Sequence, residues 1–116
     1  MSYIDGYVIP VARDKADEYQ SFAARYAPLF KKYGATRVVE SWGDDVPPGE
    51  STDFFRAVAA GEDEQVVFSW VEWPDKATRD DGMARAQKDP AFSEDVAIPF
   101  DGKRMIMGGF RVIVDA

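Results

Sequence analysis

From Tyr3 to Val11 apolar side chains occupy both odd and even positions, with Tyr3, Asp5, Tyr7, Ile9 and Val11 facing one way and Ile4, Gly6, Val8 and Pro10 the other. A period of two makes this a strand, apolar on both faces. The spacing then becomes helical, with Tyr19, Phe22, Ala23, Tyr26, Phe30 and Tyr33 forming one stripe. Asp14 is placed to cap this helix. Asp17 and Glu18 suit its positive end, Lys31 and Lys32 its negative end, and Gly34 a left-handed stop. Pro28 deletes one backbone donor and is expected to kink the helix without ending it.

Alternation returns from Thr36 to Trp42, with Val38, Glu40 and Trp42 opposite Arg37, Val39 and Ser41. Turn residues Asp44 to Gly49 follow, then a short helix capped by Ser51 or Thr52 and running through Phe54, Phe55 and Val58 to Gly61. Gln65 to Trp73 is almost continuously apolar, the pattern of a strand that water reaches on neither face. Pro74 and Asp75 open a second long helix toward Lys88, which Gly82 weakens by about 1 kcal/mol. Asp89-Pro90 ends it, and Ser93 to Ile98 reads as irregular or as a single turn. Lys103 to Val114 is the last strand, where Gly108-Gly109 predicts a bulge or a close backbone approach.

Strand, helix, strand, strand, helix, strand is the order of a ferredoxin-like α+β fold, an antiparallel sheet with helices on one side, here as one domain over residues 1–116. Two long helices cover one face of such a sheet. Strands one, three and four are apolar on both, so the second face is expected to be covered by another copy of the chain about a two-fold axis.

Composition narrows the chemistry. The chain has no His and no Cys, which removes Ser-His-Asp triads, Cys nucleophiles, His-ligated haem and Cys/His zinc sites. A hydrophobic content of 46% with 14% aromatic residues is that of a globular domain. The formal net charge of −7 disfavours nucleic acid as a partner. Nothing reads as a signal core or a membrane span, so a cytoplasmic protein is expected.

Carboxylates, cations, hydroxyls and indoles remain. Asp5 is an acid in an apolar strand, and an ionised carboxylate there needs a partner, for which Arg104, Arg111 and Arg37 are the candidates. Asp5 and Glu40 are the candidate proton acceptors, Glu40 sharing its strand face with Trp42. Tyr7, Trp42 and Trp70 are candidates to contact a flat, apolar ligand, although core or interface packing also accounts for the tryptophans. Glu72 shares a face with Trp70 and reads as a strand end. Asp101-Gly102 reads as a turn, leaving Lys103 and Arg104 free to meet an anionic group. Asp75, Arg79, Asp80, Asp81 and Arg85 read as a solvated helix face.

Several blocks resemble the YbaA-like family, a bacterial domain of unknown function in the dimeric α+β barrel superfamily. They are Tyr3 to Val8, Ala27 to Lys31, Gly34-Ala35, Val39-Glu40 with Trp42, Asp45 to Pro47, Thr52 to Phe54, Val66 to Trp70, and Pro99 to Ile106 with Gly108 to Phe110. Ile98 and Met107 stand where that family usually has Met and often has Tyr. The resemblance implies a homodimer with a ligand pocket between sheet and helices, and no established reaction. Two functions fit these residues. One is a cofactor-free enzyme, monooxygenase- or isomerase-like, in which Asp5 or Glu40 takes a proton from a small organic molecule and Arg104 or a Tyr hydroxyl stabilises the anion. The other is a non-catalytic module that binds a small molecule or a protein.

Overall fold

The two most continuously apolar segments take the centre of the sheet, where both edges of each strand are paired. In the computed structural model, which describes residues 2–92 and 97–116, these are β1 (Tyr3–Ala12) and β3 (Glu64–Trp73). The remaining elements are α1 (Ala16–Lys32), β2 (Arg37–Trp42), α2 (Phe54–Ala57), α3 (Lys76–Gln87) and β4 (Ile106–Arg111), with 3-10 turns at Arg13–Lys15 and Pro90–Phe92. All pairings are antiparallel and the strand order is β2-β3-β1-β4, the ferredoxin-like arrangement. The segment expected to be irregular over Ser93 to Ile98 lies, from 93 to 96, outside the described residues.

The register fixes which side chains share a face. Asp5 lies opposite Val71, Tyr7 opposite Ser69 and Ile9 opposite Val67, while Glu40 lies on the other side of Ser69. This is the face under α1 and α3, and its core runs through Ile9, Val11, Tyr19, Ala23, Val67, Val71 and Trp73. The opposite face carries Ile4, Val8, Phe68, Trp70, Ile106 and Phe110. Its Pro10 and Val66 end is buried, and α2 sits on this side with Phe54 edge-on to Phe68 at 5.9 Å. Elsewhere one chain leaves it open, with Phe68 46%, Ile106 46% and Phe110 61% exposed. Within a single chain, therefore, β3 is sealed on the helix side only.

Helix starts differ from expectation where the chain turns tightly. Asp14 falls inside the 3-10 turn, whose Arg13 N–H donates to the Asp63 carbonyl, and α1 begins after Lys15 with no side-chain cap. Asp53, not Ser51 or Thr52, caps α2, accepting from the Arg56 N–H at 2.8 Å. Asp75 caps α3 as its sequence context indicates, accepting from the Thr78 N–H at 2.7 Å. Pro28 lies inside α1, which continues past it to Lys32, and Gly34 takes a φ of 115° just beyond the end.

The last strand is shorter than the apolar pattern indicates. Residues 102–104 form a turn, and pairing with β1 starts only at Ile106. No bulge occurs at Gly108-Gly109, since Gly6 pairs with Gly108 and Asp5 with Gly109 in unbroken register. The close approach is made by side chains, because a Cβ at 109 would collide with the Tyr3 hydroxyl and the Arg79 guanidinium.

Gly82 has the same kind of cause. It is buried in α3, and a Cβ there would stand 2.5 Å from the Tyr33 carbonyl oxygen and 2.6 Å from the Trp73 ring. Ala is ordinarily the better helix residue by about 1 kcal/mol. Here overpacking reverses the sign, so Gly82→Ala is expected to destabilise by about 1–3 kcal/mol in urea unfolding. A gain in stability would show that α3 does not approach Trp73 this closely.

Candidate functional site

Asp5 is fully buried, and its carboxylate is completely engaged. It accepts from Trp73 Nε1 at 2.9 Å, from Arg79 Nε at 3.0 Å and from Arg79 Nη2 at 2.8 Å. The partner is thus Arg79 on α3 and not Arg104, Arg111 or Arg37. Arg79 leaves the solvated helix face assigned to it from sequence because its fork reaches β1 past Gly109, stacking 5.1 Å from the Tyr3 ring centroid.

Arg104 is likewise occupied. It binds Glu64 through Nη1 at 2.6 Å and Nη2 at 2.8 Å, Asp101 through Nε at 2.9 Å, and the Ala59 carbonyl at 3.0 Å. This clamp holds the 101–104 turn against the loop before β3. Lys103 is exposed beside it, its backbone N–H donating to Asp101. Trp70 lies on the open face and donates from Nε1 to Glu72 Oε2 at 2.9 Å. Trp42 and Glu40 lie on the helix face. The residues named from sequence are therefore divided among separate places: Tyr7, Glu40 and Trp42 border the space beside α1, and Asp5, on the same face, lies under α3.

That side contains a cavity of about 510 Å³ between α1 and β2, lined by Ala16, Tyr19, Ala24, Val38, Glu40 and Trp42 among others. An inner recess of about 140 Å³ shares Tyr19, Ala23, Ala27, Val38 and Glu40 with it and extends to Tyr7, Ser69 and a wall of phenylalanines. At the junction the Tyr19 hydroxyl donates to Glu40 Oε1 at 2.6 Å. Tyr19 reads from sequence only as one more member of an apolar helical stripe. Its pairing with a residue 21 positions away follows from the way α1 crosses β2, which local spacing does not encode.

The surroundings shift all three hydroxyl and carboxyl groups. Burial raises the Glu40 pKa above 4.5, outweighing the Tyr19 and Ser69 hydroxyls that pull it down. Burial and the bonded Glu40 carboxylate drive Tyr19 far up, and burial, with the Asp5 charge adding to it, pushes Tyr7 up to about 12. Tyr7 and Tyr19 are neutral donors at physiological pH, and Glu40 is a stronger base than a solvated carboxylate. Among the described residues no group of three or more carboxylates converges as a metal site, and no helix is long and apolar enough to cross a membrane.

Fold and cavity define a ferredoxin-like α+β protein with a carboxylate and hydroxyls set into an aromatic-walled cleft. The chain belongs to the family described as protein of unknown function (DUF1428), whose model matches residues 2–102. It is 53% identical over 116 residues to the uncharacterized protein YbaA of Escherichia coli K12, spanning 99% of both chains, and to the same degree to that of Shigella flexneri. This agrees with the family resemblance read from the sequence blocks. Among solved structures it is similar to a dimeric ferredoxin-like protein from an uncultured marine organism, with a TM-score of 0.59 and 10% identity over 100% of both chains. At that identity the likeness is one of fold.

A carboxyl whose folded pKa is raised contributes stability that is present below its unfolded pKa and lost as pH rises through the folded value. Glu40 is expected to titrate above 4.5 in carboxyl-detected NMR. Tyr19→Phe removes a bond that favours the charged form and moves that midpoint further up. A midpoint at or below 4.5, or a downward move in the variant, would contradict the environment described here.

Proposed function

We propose that the chain binds a small, largely apolar organic molecule in the cavity between α1 and β2 and exchanges a proton with it through Glu40. The observation that carries this reading is the Tyr19-to-Glu40 bond at 2.6 Å at the junction of the two parts of the cavity. The tyrosine, with the Ser69 hydroxyl, positions the carboxylate at that junction. Asp5, saturated by Arg79 and Trp73, is assigned a structural role, and the proton-acceptor role falls to Glu40 alone. Trp42 and Tyr7 border the ligand, whereas Trp70, Lys103 and Arg104 are assigned to surface and turn. In an isomerase-like reaction the proton taken by Glu40 returns to another atom of the same molecule, so the step needs no co-reactant.

The same proposal makes the protein a homodimer. A groove of about 540 Å³ on the open face, walled by Ile4, Val8, Phe68, Trp70, Ile106 and Phe110, is continuous apolar surface. A second copy, face to face, covers it with matching chemistry, and the similar fold described as dimeric supports this arrangement.

Two measurements test these readings. In a thermal-shift screen of small organic molecules, ligands that raise the melting point of the wild type are expected to lose turnover in Glu40→Gln and to lose binding in Ala24→Trp, which fills the cavity wall. Hits unaffected by both variants would refute the site. In sedimentation the wild type is expected as a dimer and Phe110→Glu as a monomer. A wild type that is monomeric at tens of micromolar would refute the self-association.

A further inference from the structure

The cavity has an unusual charge balance for a place where an anion would form. Among the described residues that line its two parts, Glu40 is the one formally charged side chain, and none is Lys or Arg. Arg104, expected from sequence to stabilise an anion, is held by Glu64 and Asp101, and Arg79 by Asp5. Removing a proton from a neutral molecule here would leave a negative charge met by a Tyr hydroxyl, with no Lys or Arg among the described lining residues, a costly arrangement.

The walls supply the opposite preference. Tyr7, Tyr19, Phe22, Phe30 and Phe100 line the recess, with Phe100 5.9 Å from Tyr19 and 5.8 Å from Phe22 between centroids. Tyr26 lines it too, with Phe22 at 4.8 Å, Phe92 stacked at 5.0 Å and the Arg25 guanidinium at 5.8 Å. Ring faces carry negative quadrupole and attract a positive group, more strongly when water is excluded. Glu40 adds a full negative charge at the same place, and the chain's net charge of −7 attracts cations from a distance.

We infer that the cavity takes a small organic cation, an amine or alkylammonium, with its nitrogen set among the aromatic rings beside Glu40 and its apolar remainder running toward Trp42. This rests on the proposed reading of the cavity as the ligand site and names the class of ligand. There the ligand's positive charge meets the Glu40 carboxylate, which has no Lys or Arg partner among the described residues lining the cavity.

The test is calorimetric titration of the full chain with benzyltrimethylammonium, benzylamine, benzyl alcohol and benzoate at neutral pH, repeated on Glu40→Gln and Ala24→Trp. The two cations are expected to bind at least roughly ten-fold more tightly than benzyl alcohol, and benzoate most weakly. Glu40→Gln should remove most of that preference by weakening the cations, and Ala24→Trp should weaken every probe that binds. Alcohol or benzoate binding as tightly as the cations, still sensitive to Ala24→Trp, would overturn the ligand class and leave the cavity as the site. A cation preference that persists undiminished in Glu40→Gln would also overturn it. If no probe binds, or none responds to Ala24→Trp, both the class and the site reading fail.

Discussion

Asp5 carries an ionised carboxylate to zero exposure in the middle of the sheet, and much of the surrounding structure follows from satisfying it. An unpaired charge there would cost several kcal/mol, and pairing alone barely offsets desolvation unless further hydrogen bonds are made. The chain supplies them from two directions, the Trp73 indole within the sheet and the Arg79 fork from α3. For Arg79 to arrive, β4 must present no side chain at 109. For α3 to sit low enough, position 82 must present none against Trp73. Two glycines, one tryptophan and the placement of a helix thus serve a single carboxylate.

This arrangement also decides where the cleft lies. The side of the sheet near Asp5 is closed by the ion pair, by Trp73 and by Tyr3 under Arg79. Among the described helices, α1 covers the β2 side, and it is lined there with Ala16, Ala23, Ala24 and Ala27, which fill little volume. Small residues over Glu40 and Trp42 leave room, and Tyr19 reaches across it to fix the carboxylate. The rigid half and the open half of one layer therefore have different work, one holding α3 in place and the other presenting a basic group to an apolar space.

Much of the architecture was legible from periodicity. The division of β1 into two faces, the continuously apolar strand β3, the Asp75 cap and the termination near Gly34 all depend on local pattern and backbone preference, which sequence carries directly. The site was legible only in part. Glu40 and Trp42 stood out because a carboxylate and an indole share a strand face, but Tyr19 looked like ordinary core and Arg79 like ordinary surface. Both are long side chains whose polar ends reach a residue on another element, and such a reach depends on helix crossing and on neighbouring glycines. The same reason removed Arg104 from the candidate anion binders. Nothing near it in sequence indicates that Glu64, 40 positions earlier, would claim its guanidinium.

Pro28 has one further effect. Lacking an amide hydrogen, it leaves the peptide oxygen of Ala24, four residues earlier, without its intrahelical donor. Both residues are exposed on the outer side of α1, so water is at hand to satisfy that oxygen, and the helix carries its proline without leaving a buried acceptor unpaired.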